Sequence, residues 1–411
     1  MIAYPHSHLP LEGIRIVDLT LAMAGPLSTQ RLGELGAEVI KIEAPGGGDF
    51  TRHWHMGGIT SFGDALPYVT LNRAKRSLVL NLKDLAGREA LYRLVETADA
   101  VVMNYRPGVA ARLGIDYASL LARAPKIVMV SITGYGEEGP MMARPGQDLL
   151  LQSFTGLTFN GGTVDGPPHP APGYVADTLS SHMATEAVLA GVLAQRLHGV
   201  GGHFQVSLMD ALLELQCQEL TAAMILGVNA ERGRAPQASV WMEPPYGIYQ
   251  TLEGYLAIAQ ADLAVLGSLL ALPDLAQEKT RRPAQTDSAA LVEWRDRIYF
   301  SVQSILATDT AAHWDAILSE SGVWVAVVRD YTAFLAEAQS KGSFVEIDHP
   351  THGRYRAVAP GIRRAGGPPP KLTPAPAYGA DSSALLLELG YDAAAIDDLV
   401  RQGIAVLATR I

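Results

Sequence analysis

An α/β fold built on a doubly wound parallel sheet is what this sequence predicts, and three features carry that expectation. β-Branched apolar runs alternate with amphipathic stretches through roughly the first half of the chain, the order that makes parallel strands with covering helices. Each run stops at a cluster of Gly, Asn, Thr or Arg, on the side of such a sheet where ligands sit. Beyond about Ala230 the texture changes, and Pro236, Pro244 and Pro245 mark a linker into a smaller module.

Taken in order, Leu11-Glu-Gly-Ile-Arg-Ile-Val-Asp-Leu-Thr20 has the apolar density of a strand. Residues Ala24 to Gly36 hold a helix-start Pro26 and an end-marking Gly36, and Ala37 to Glu43 form the next strand. The turn between Thr20 and Pro26 is a candidate ligand edge. It is no dinucleotide fingerprint, because Leu21-Ala-Met-Ala-Gly25 has one glycine where the phosphate cradle needs three. The loop Ala44 to His55 combines glycines with Arg52, His53 and His55. An active-site lid suits it better than a metal site, since the His-x-His pair has no evident third ligand nearby.

Next, Asn72-Arg-Ala-Lys-Arg-Ser77 sets Arg73, Lys75 and Arg76 before a short strand; an anion site and a solvated charged face are both open readings. Leu85 to Glu96 is an amphipathic helix, Ala100 to Met103 a buried strand, and Asn104-Tyr-Arg-Pro-Gly108 breaks the pattern at its end. A helix around Tyr117 to Arg123 precedes the strand Lys126 to Ile132, which stops at Thr133-Gly-Tyr-Gly136. Gly201 to Asp210 gives another strand, with a helix starting at Met209 or Asp210. Past the linker, Gly247 to Ala259 is a hairpin turning at Leu252-Glu-Gly254. Helices follow near 263–272, 291–308 and 311–319, then a strand at 323–329. Gly366-Gly-Pro-Pro-Pro370 and Pro374-Ala-Pro376 must run extended, and two short helices, 382–389 and 393–402, close the chain.

Composition narrows the function. The 411 residues are 48% hydrophobic and 18% charged, ordinary for a globular protein with more than one core. A formal charge of -10 argues against a nucleic-acid or anionic-membrane partner, which would need basic faces. The single cysteine, Cys217, falls in a helical pattern, which rules out an intrachain disulfide and suggests a buried inert thiol. The opening Met1-Ile-Ala-Tyr-Pro-His-Ser-His8 lacks the charged start and apolar core of a signal peptide, and no apolar run is long enough to cross a bilayer; the expected compartment is cytoplasmic.

One carboxylate stands apart. In Ala171-Pro-Gly-Tyr-Val-Ala-Asp-Thr-Leu-Ser-Ser-His182, Asp177 lies where a strand-like run ends and an apolar helical pattern begins. An N-cap is the simpler role on spacing alone. The other is a carboxylate nucleophile at a helix N-terminus, where backbone N–H groups can also stabilise an oxyanion.

Several short motifs, in this order, give the chain a likeness. Val17-Asp-Leu-Thr20, Ala24-Gly-Pro26, Leu35-Gly-Ala-Glu-Val-Ile-Lys-Ile-Glu43, Asn72-Arg-Ala-Lys-Arg-Ser77, Asn104-Tyr-Arg-Pro-Gly108, Gly134-Tyr-Gly136, Tyr174-Val-Ala-Asp177, Pro245-Tyr-Gly247 and Asp348-His-Pro-Thr351 resemble the class III coenzyme A transferases. That family includes formyl-CoA transferase, the carnitine CoA-transferases and the α-methylacyl-CoA racemases. The resemblance implies a Rossmann-like large domain from both chain ends (1–225 with a return over 341–411), a small α+β domain over 226–340, and an interlocked homodimer.

It also implies chemistry. The aspartate matching Asp177 attacks an acyl-CoA, forming a mixed anhydride and then an aspartyl-CoA thioester that a carboxylic acid acceptor resolves. The CoA thioester is a substrate, and no metal or redox cofactor is implied. Residues matching the family's CoA-binding segments are Asn72, Arg73, Lys75, Asn104, Tyr105, Arg106, Arg112, Thr133 and Tyr135. Lys75 and Arg112 suit nucleotide phosphates as point charge and fork. The family's racemases carry Gly-His-Asp where this chain reads Gly146-Gln-Asp148, so Gln147 removes an acid–base group and the transferase branch is expected over an epimerase. Met23 stands in place of formyl-CoA transferase's glutamine, and Ala259-Gln-Ala-Asp262 replaces its glycine-run loop, which points away from formate and oxalate. Met23 suggests an apolar acyl pocket, and Arg52, His53 and His55 could receive a second carboxylate. A protein that only binds CoA esters is the rival from another class.

Overall fold

The structure is a computed structural model that describes residues 8–54, 56, 63–236, 238–337 and 342–408. The chain forms two compact units. The larger comprises Met1–Asp148, Tyr174–Ala211 and Lys341–Ile411, and the smaller Leu149–Gly173 and Leu212–Ser340. Residues 149–173 and 212–225, which the sequence pattern groups with the large domain, thus pack with the middle of the chain instead.

The larger unit is organised on a sheet of β1 (Arg15–Leu19), β2 (Glu38–Glu43), β3 (Lys75–Leu80), β4 (Ala100–Met103), β5 (Val128–Thr133) and β6 (Gly202–Ser207), closed by a two-residue strand near the C-terminus. In the smaller unit lie β7 (Gly247–Gln250), β8 (Tyr255–Gln260) and β9 (Trp324–Val327). β10 (Phe344–His349), β11 (Gly353–Val358) and β12 (Ala405–Val406) return to the larger one.

The seven-stranded order is β12-β3-β2-β1-β4-β5-β6, with β1 to β6 mutually parallel and β12 antiparallel to β3. Strand order reverses between β1 and β4, because β2 is added on one side of β1 and β4 on the other. The carboxyl ends of β1 and β4 therefore bound the switch-point crevice where α/β folds place their ligands. One face of β1 sends Val17 and Leu19 into an apolar core with Leu91, Leu94, Leu385 and Leu399. The opposite face carries Asp18 and Thr20, which are equally buried. A fully buried polar layer under a ligand edge calls for internal partners, and it has them (below).

In the smaller unit, β7, β8 and β9 form an antiparallel sheet packed by the helices Ser288–Leu306 and Ala311–Glu320 around Tyr249, Leu256, Trp294 and Leu318. Two features depart from the sequence-based expectation. The helical pattern through Cys217 breaks at Gln216 into Leu208–Leu215 and Cys217–Leu226, and Cys217 is exposed in this chain, not buried. The β10–β11 hairpin and β12 have no counterpart in that expectation. No helix among the described residues is long and apolar enough to cross a membrane.

Candidate active site

The turn after β1 is fixed from below by buried charge. Asp18 accepts from the Thr20 N–H at 2.9 Å, the Thr20 hydroxyl at 2.5 Å, the Thr29 hydroxyl at 2.7 Å and Lys75 Nζ at 2.9 Å. Lys41 Nζ donates to the Thr20 carbonyl at 2.8 Å and pairs with Asp49 at 3.0 Å. Desolvation pulls Lys75 down to about 8 against the attraction of Asp18. Asp18 is held well below the usual carboxylate range: burial acts against this, but the charges of Lys75 and Lys41 outweigh it. From above, Asn104 at the end of β4 accepts from the Leu21 N–H at 2.9 Å and donates to the Leu21 carbonyl at 2.7 Å. Between these anchors Ala22 takes a left-handed φ of 65°, an uncommon conformation for a residue with a β-carbon. Gly25 is required just after it, because a Cβ there would run into the Thr20 side chain.

The helix Ala24–Glu34 starts at this turn and packs on the helix Val175–His198, with Thr185 Oγ1 3.1 Å from Ser28 Oγ and Arg31 bonded to Ser181. Asp177 does not cap the second helix. Tyr174 occupies the cap position without a side-chain bond, and Asp177 lies inside the first turn. The segment before it is irregular and not a strand. Burial raises the Asp177 carboxyl to about 6, the neighbouring Asp148 adds to the rise, and the backbone N–H of Ala24 acts in the opposite direction. Asp148 is 2% exposed, and its Oδ2 accepts the Asp177 N–H at 3.2 Å. Gly134 and Gly146 touch so closely that a Cβ on either would collide with the other's Cα, which seats the 146–148 segment against the end of β5. A carboxylate with a raised pKa, at a helix start and beside a backbone donor, suits covalent catalysis: it is a stronger nucleophile than an exposed one and remains ionised near neutrality.

Several expected ligand contacts prove to be internal. Lys75 is committed to Asp18, to the Pro26 carbonyl and to Asn72 Oδ1, while Asn72 also donates to the Tyr68 carbonyl. Arg73 pairs with Glu34 at 2.7 Å. Lys75 has all three donors in use and cannot meet a nucleotide phosphate without abandoning one of them, so the phosphate role read for it gives way to a structural one, while Arg73 is buried with its Nε and Nη2 on Glu34. Arg76 bonds Glu38 and Glu388, which makes it neither an anion site nor a solvated charge. Arg52, read as a substrate-carboxylate ligand, is also corrected. It is buried, bonds Glu43 and Asp64 at 2.7 Å each, and stacks 3.6 Å from the Tyr68 ring centre. His53 is exposed, and His55 lies outside the described residues. Thr133 Oγ1 accepts the Gly136 N–H at 3.0 Å, which shapes its turn, and Tyr135 is buried.

The remaining residues keep accessible surface near strand ends. Arg106 and Arg112 are exposed, Tyr105 is half-buried with its hydroxyl pushed up to about 12 by desolvation and by Asp18, and Met23 is half-buried at the head of the Ala24 helix. Arg112 also lines an open cavity of about 660 Å³ with Arg88, Tyr92 and Arg123. Sequence reasoning missed Asp148 as the neighbour of Asp177 and the Asp18–Lys75 pair beneath the turn. An acidic residue opening a helix directly after Pro-Gly-Gln was the available signal for Asp148. No cluster of three His, Cys, Asp or Glu side chains suited to a metal ion occurs among the described residues.

Fold and site together describe a doubly wound α/β protein with a largely buried carboxylate, its pKa raised, in the first turn of the Val175–His198 helix. A family model described as CoA-transferase family III matches residues 11–382. The chain belongs to that family, and its named relatives are enzymes that move CoA between carboxylic acids. Among its relatives, succinyl-CoA:glutarate CoA-transferase of Mus musculus is 31% identical over 401 residues, covering 96% of this chain and 90% of that protein. Acetyl-CoA:oxalate CoA-transferase of Acetobacter aceti is 30% identical, covering 78% and 81%. The crystal structure of Rv3272 from Mycobacterium tuberculosis superposes with a TM-score of 0.77 at 27% identity, over 92% of this chain and all of that one.

Proposed function

We propose that this protein transfers CoA from an acyl-CoA donor to a small organic acid, with Asp177 as the group that carries the acyl unit. The observation that carries the reading is the Asp177 carboxylate itself, raised to about 6 in the first turn of its helix and facing the Ala24 N–H at the switch-point edge. In the first step an Asp177 oxygen attacks the thioester carbon, the C–S bond breaks, and a mixed anhydride and CoA thiolate form. The thiolate then attacks the Asp177 carbonyl and releases the donor acid, leaving an aspartyl-CoA thioester. The acceptor carboxylate attacks that thioester to give a second anhydride and thiolate, and the returning thiolate takes the new acyl group. Each step exchanges one acyl bond for another, so no redox or metal group has to enter. The Ala24 N–H is suited to receive the oxyanion that forms on Asp177 or its substrate.

Arg106 and Arg112 are the exposed cations best placed in this reading to meet the CoA nucleotide, with Tyr105, Thr133 and Tyr135 forming the strand-end walls. Arg52, Arg73 and Lys75 act behind these walls. The acceptor is a small acid, and dicarboxylates lead the panel because the mouse relative is named for succinate and glutarate. Gln147 supplies no proton, which favours transfer over epimerisation. A homodimer is part of the proposal: Met224 and Ile225 on one helix and Leu193 and Leu197 on another are largely exposed, apolar surface that a second copy could cover. Light scattering should return twice the 43.8 kDa chain mass.

Hydroxylamine tests the reading. With an acyl-CoA present and no acceptor, the wild-type protein should be trapped as a hydroxamate on the peptide that contains Asp177, and a protein that only binds CoA esters would stay unmodified. Deuterium entering the α-carbon from heavy water would favour the epimerase instead. The Asp148→Asn variant gives a second check. Asn can still accept the Asp177 N–H but carries no charge, so the Asp177 pKa should fall. Because the reactive form is the carboxylate, the acid limb of kcat/KM should move to lower pH, by about one pH unit.

A further inference from the structure

We propose that Asn104 is a positioning residue for the exchange: by clamping both backbone polar atoms of Leu21 it fixes the turn that aims the Ala24 N–H at the Asp177 carboxylate. The inference rests on the reading of Asp177 as nucleophile.

Its basis is a reciprocal pair of bonds, 2.9 Å into Asn104 Oδ1 and 2.7 Å out of its Nδ2, across the strand-order switch between β1 and β4. A side-chain amide that pairs with one residue's N–H and C=O acts as an extra rung of sheet beyond the last strand residue. The turn needs that support. Ala22 sits at φ 65°, Met23 caps the following helix with no side-chain bond, and the first N–H groups of that helix have no partner within it. Lys41 and Asp18 hold Thr20, one residue upstream, and the Asp49 carboxylate is a distant 3.4 Å from the Ala22 N–H. Asn104 is therefore the side chain with two good bonds to the turn itself. Its amide faces protein backbone, so its place in a CoA-binding segment does not make it a CoA ligand.

The signature of positioning differs from that of a ligand. Without the clamp the Ala24 N–H loses its aim, and the group that opposes the rise of the Asp177 pKa is lost. The charged groups on the elements packed there include Asp148, Arg31, Glu34 and the Asp18–Lys75 pair under the turn, with His182, Glu186, Arg196 and His198 farther along Asp177's own helix, and the substitution alters none of them directly. Asn104→Ala should lower kcat by about 100-fold, as loss of alignment does. KM for the acyl-CoA should stay within about twofold, and the acid limb of the rate profile should move to higher pH. Should Asn104→Ala fail to fold, as judged by circular dichroism, Asn104→Ser keeps a polar group that cannot span both Leu21 atoms and should show the same pattern in milder form.

A raised KM with an unmoved acid limb would make Asn104 a CoA ligand and overturn the proposal, as would a variant with unchanged rate and profile. Hydroxylamine labelling of the wild type keeps the two claims apart. If it labels Asp177 while the acid limb of the variant stays put, only the positioning role fails. If the wild type is not labelled, the nucleophile assignment itself fails.

Discussion

Asp177→Asn should lower CoA exchange by about 10⁴-fold or more, because a route that splits acyl exchange into easier steps has no equivalent without its nucleophile. Binding of the acyl-CoA should change little, since the amide keeps the shape of the site and removes a negative charge from it. The same variant should be more stable than the wild type at neutral pH. Folding raises this carboxyl from the ordinary value near 4 to about 6. Between those values the unfolded chain releases the proton before the folded one does. The charged form is thus the costly one in the native state, and stability falls as pH rises through that window. A rise of that size corresponds to about 3 kcal/mol, and solvent screening of a partly exposed group reduces it to about 1–2 kcal/mol. Urea unfolding should show this gain at pH above about 7 and no gain below about 4. A catalytic group held in an unfavourable state gives this pairing of lost activity with gained stability; a loss of both would mark Asp177 as a structural anchor.

Much of the fold was legible in the sequence because its strands are buried on both faces. Val101 to Met103 is a continuous apolar run, and Ile16 to Leu19 and Val128 to Ile132 are apolar runs interrupted only by Asp18 and Ser131; all became strands of the parallel sheet. β12 was not legible. It has two residues, and only its pairing with Leu80 and Val79 makes it a strand. The β10–β11 hairpin alternates in burial but carries charges at many positions, so its apolar periodicity is weak.

The site divided along a similar line. Asp177 is marked by its local setting, a carboxylate opening an apolar helix, and local settings are what a sequence displays. Basic residues mislead for the opposite reason. Arg52, Arg73, Lys75 and Arg76 look like an anion site because their partners Glu43, Glu34, Asp18 and Glu388 come from other segments, 9 to 312 positions away. Three cations close together advertise charge, and only the fold reveals whether that charge is already neutralised. The Ala24 N–H is invisible in any sequence, since every residue but proline has one.

The Lys75–Asp18 pair bears the second large prediction. Lys75→Met should destabilise the protein by about 3–5 kcal/mol, the cost of leaving one member of a buried ion pair without the other. Both side chains are fully buried, and Asp18 would keep only Thr20, Thr29 and the more distant Lys41. Asp18→Leu alone should be at least as damaging, because Lys75 would face Lys41 across a dry interior. Combining Asp18→Leu with Lys75→Met should cost clearly less than the sum of the two, since removing both charges removes the desolvation penalty as well. Urea denaturation of the three variants measures this directly. The enzyme kinetics then separate two roles for Lys75. If it met a CoA phosphate, the folded fraction of Lys75→Met would show a raised KM for acyl-CoA. If it serves the layer under the turn, KM stays near the wild-type value and kcat falls, because Asp18 holds Thr20 and, through it, the start of the helix that carries Ala24. The structure favours the second outcome: the ammonium group already has three oxygen acceptors, at 2.8 to 2.9 Å, which is as many as it can donate to.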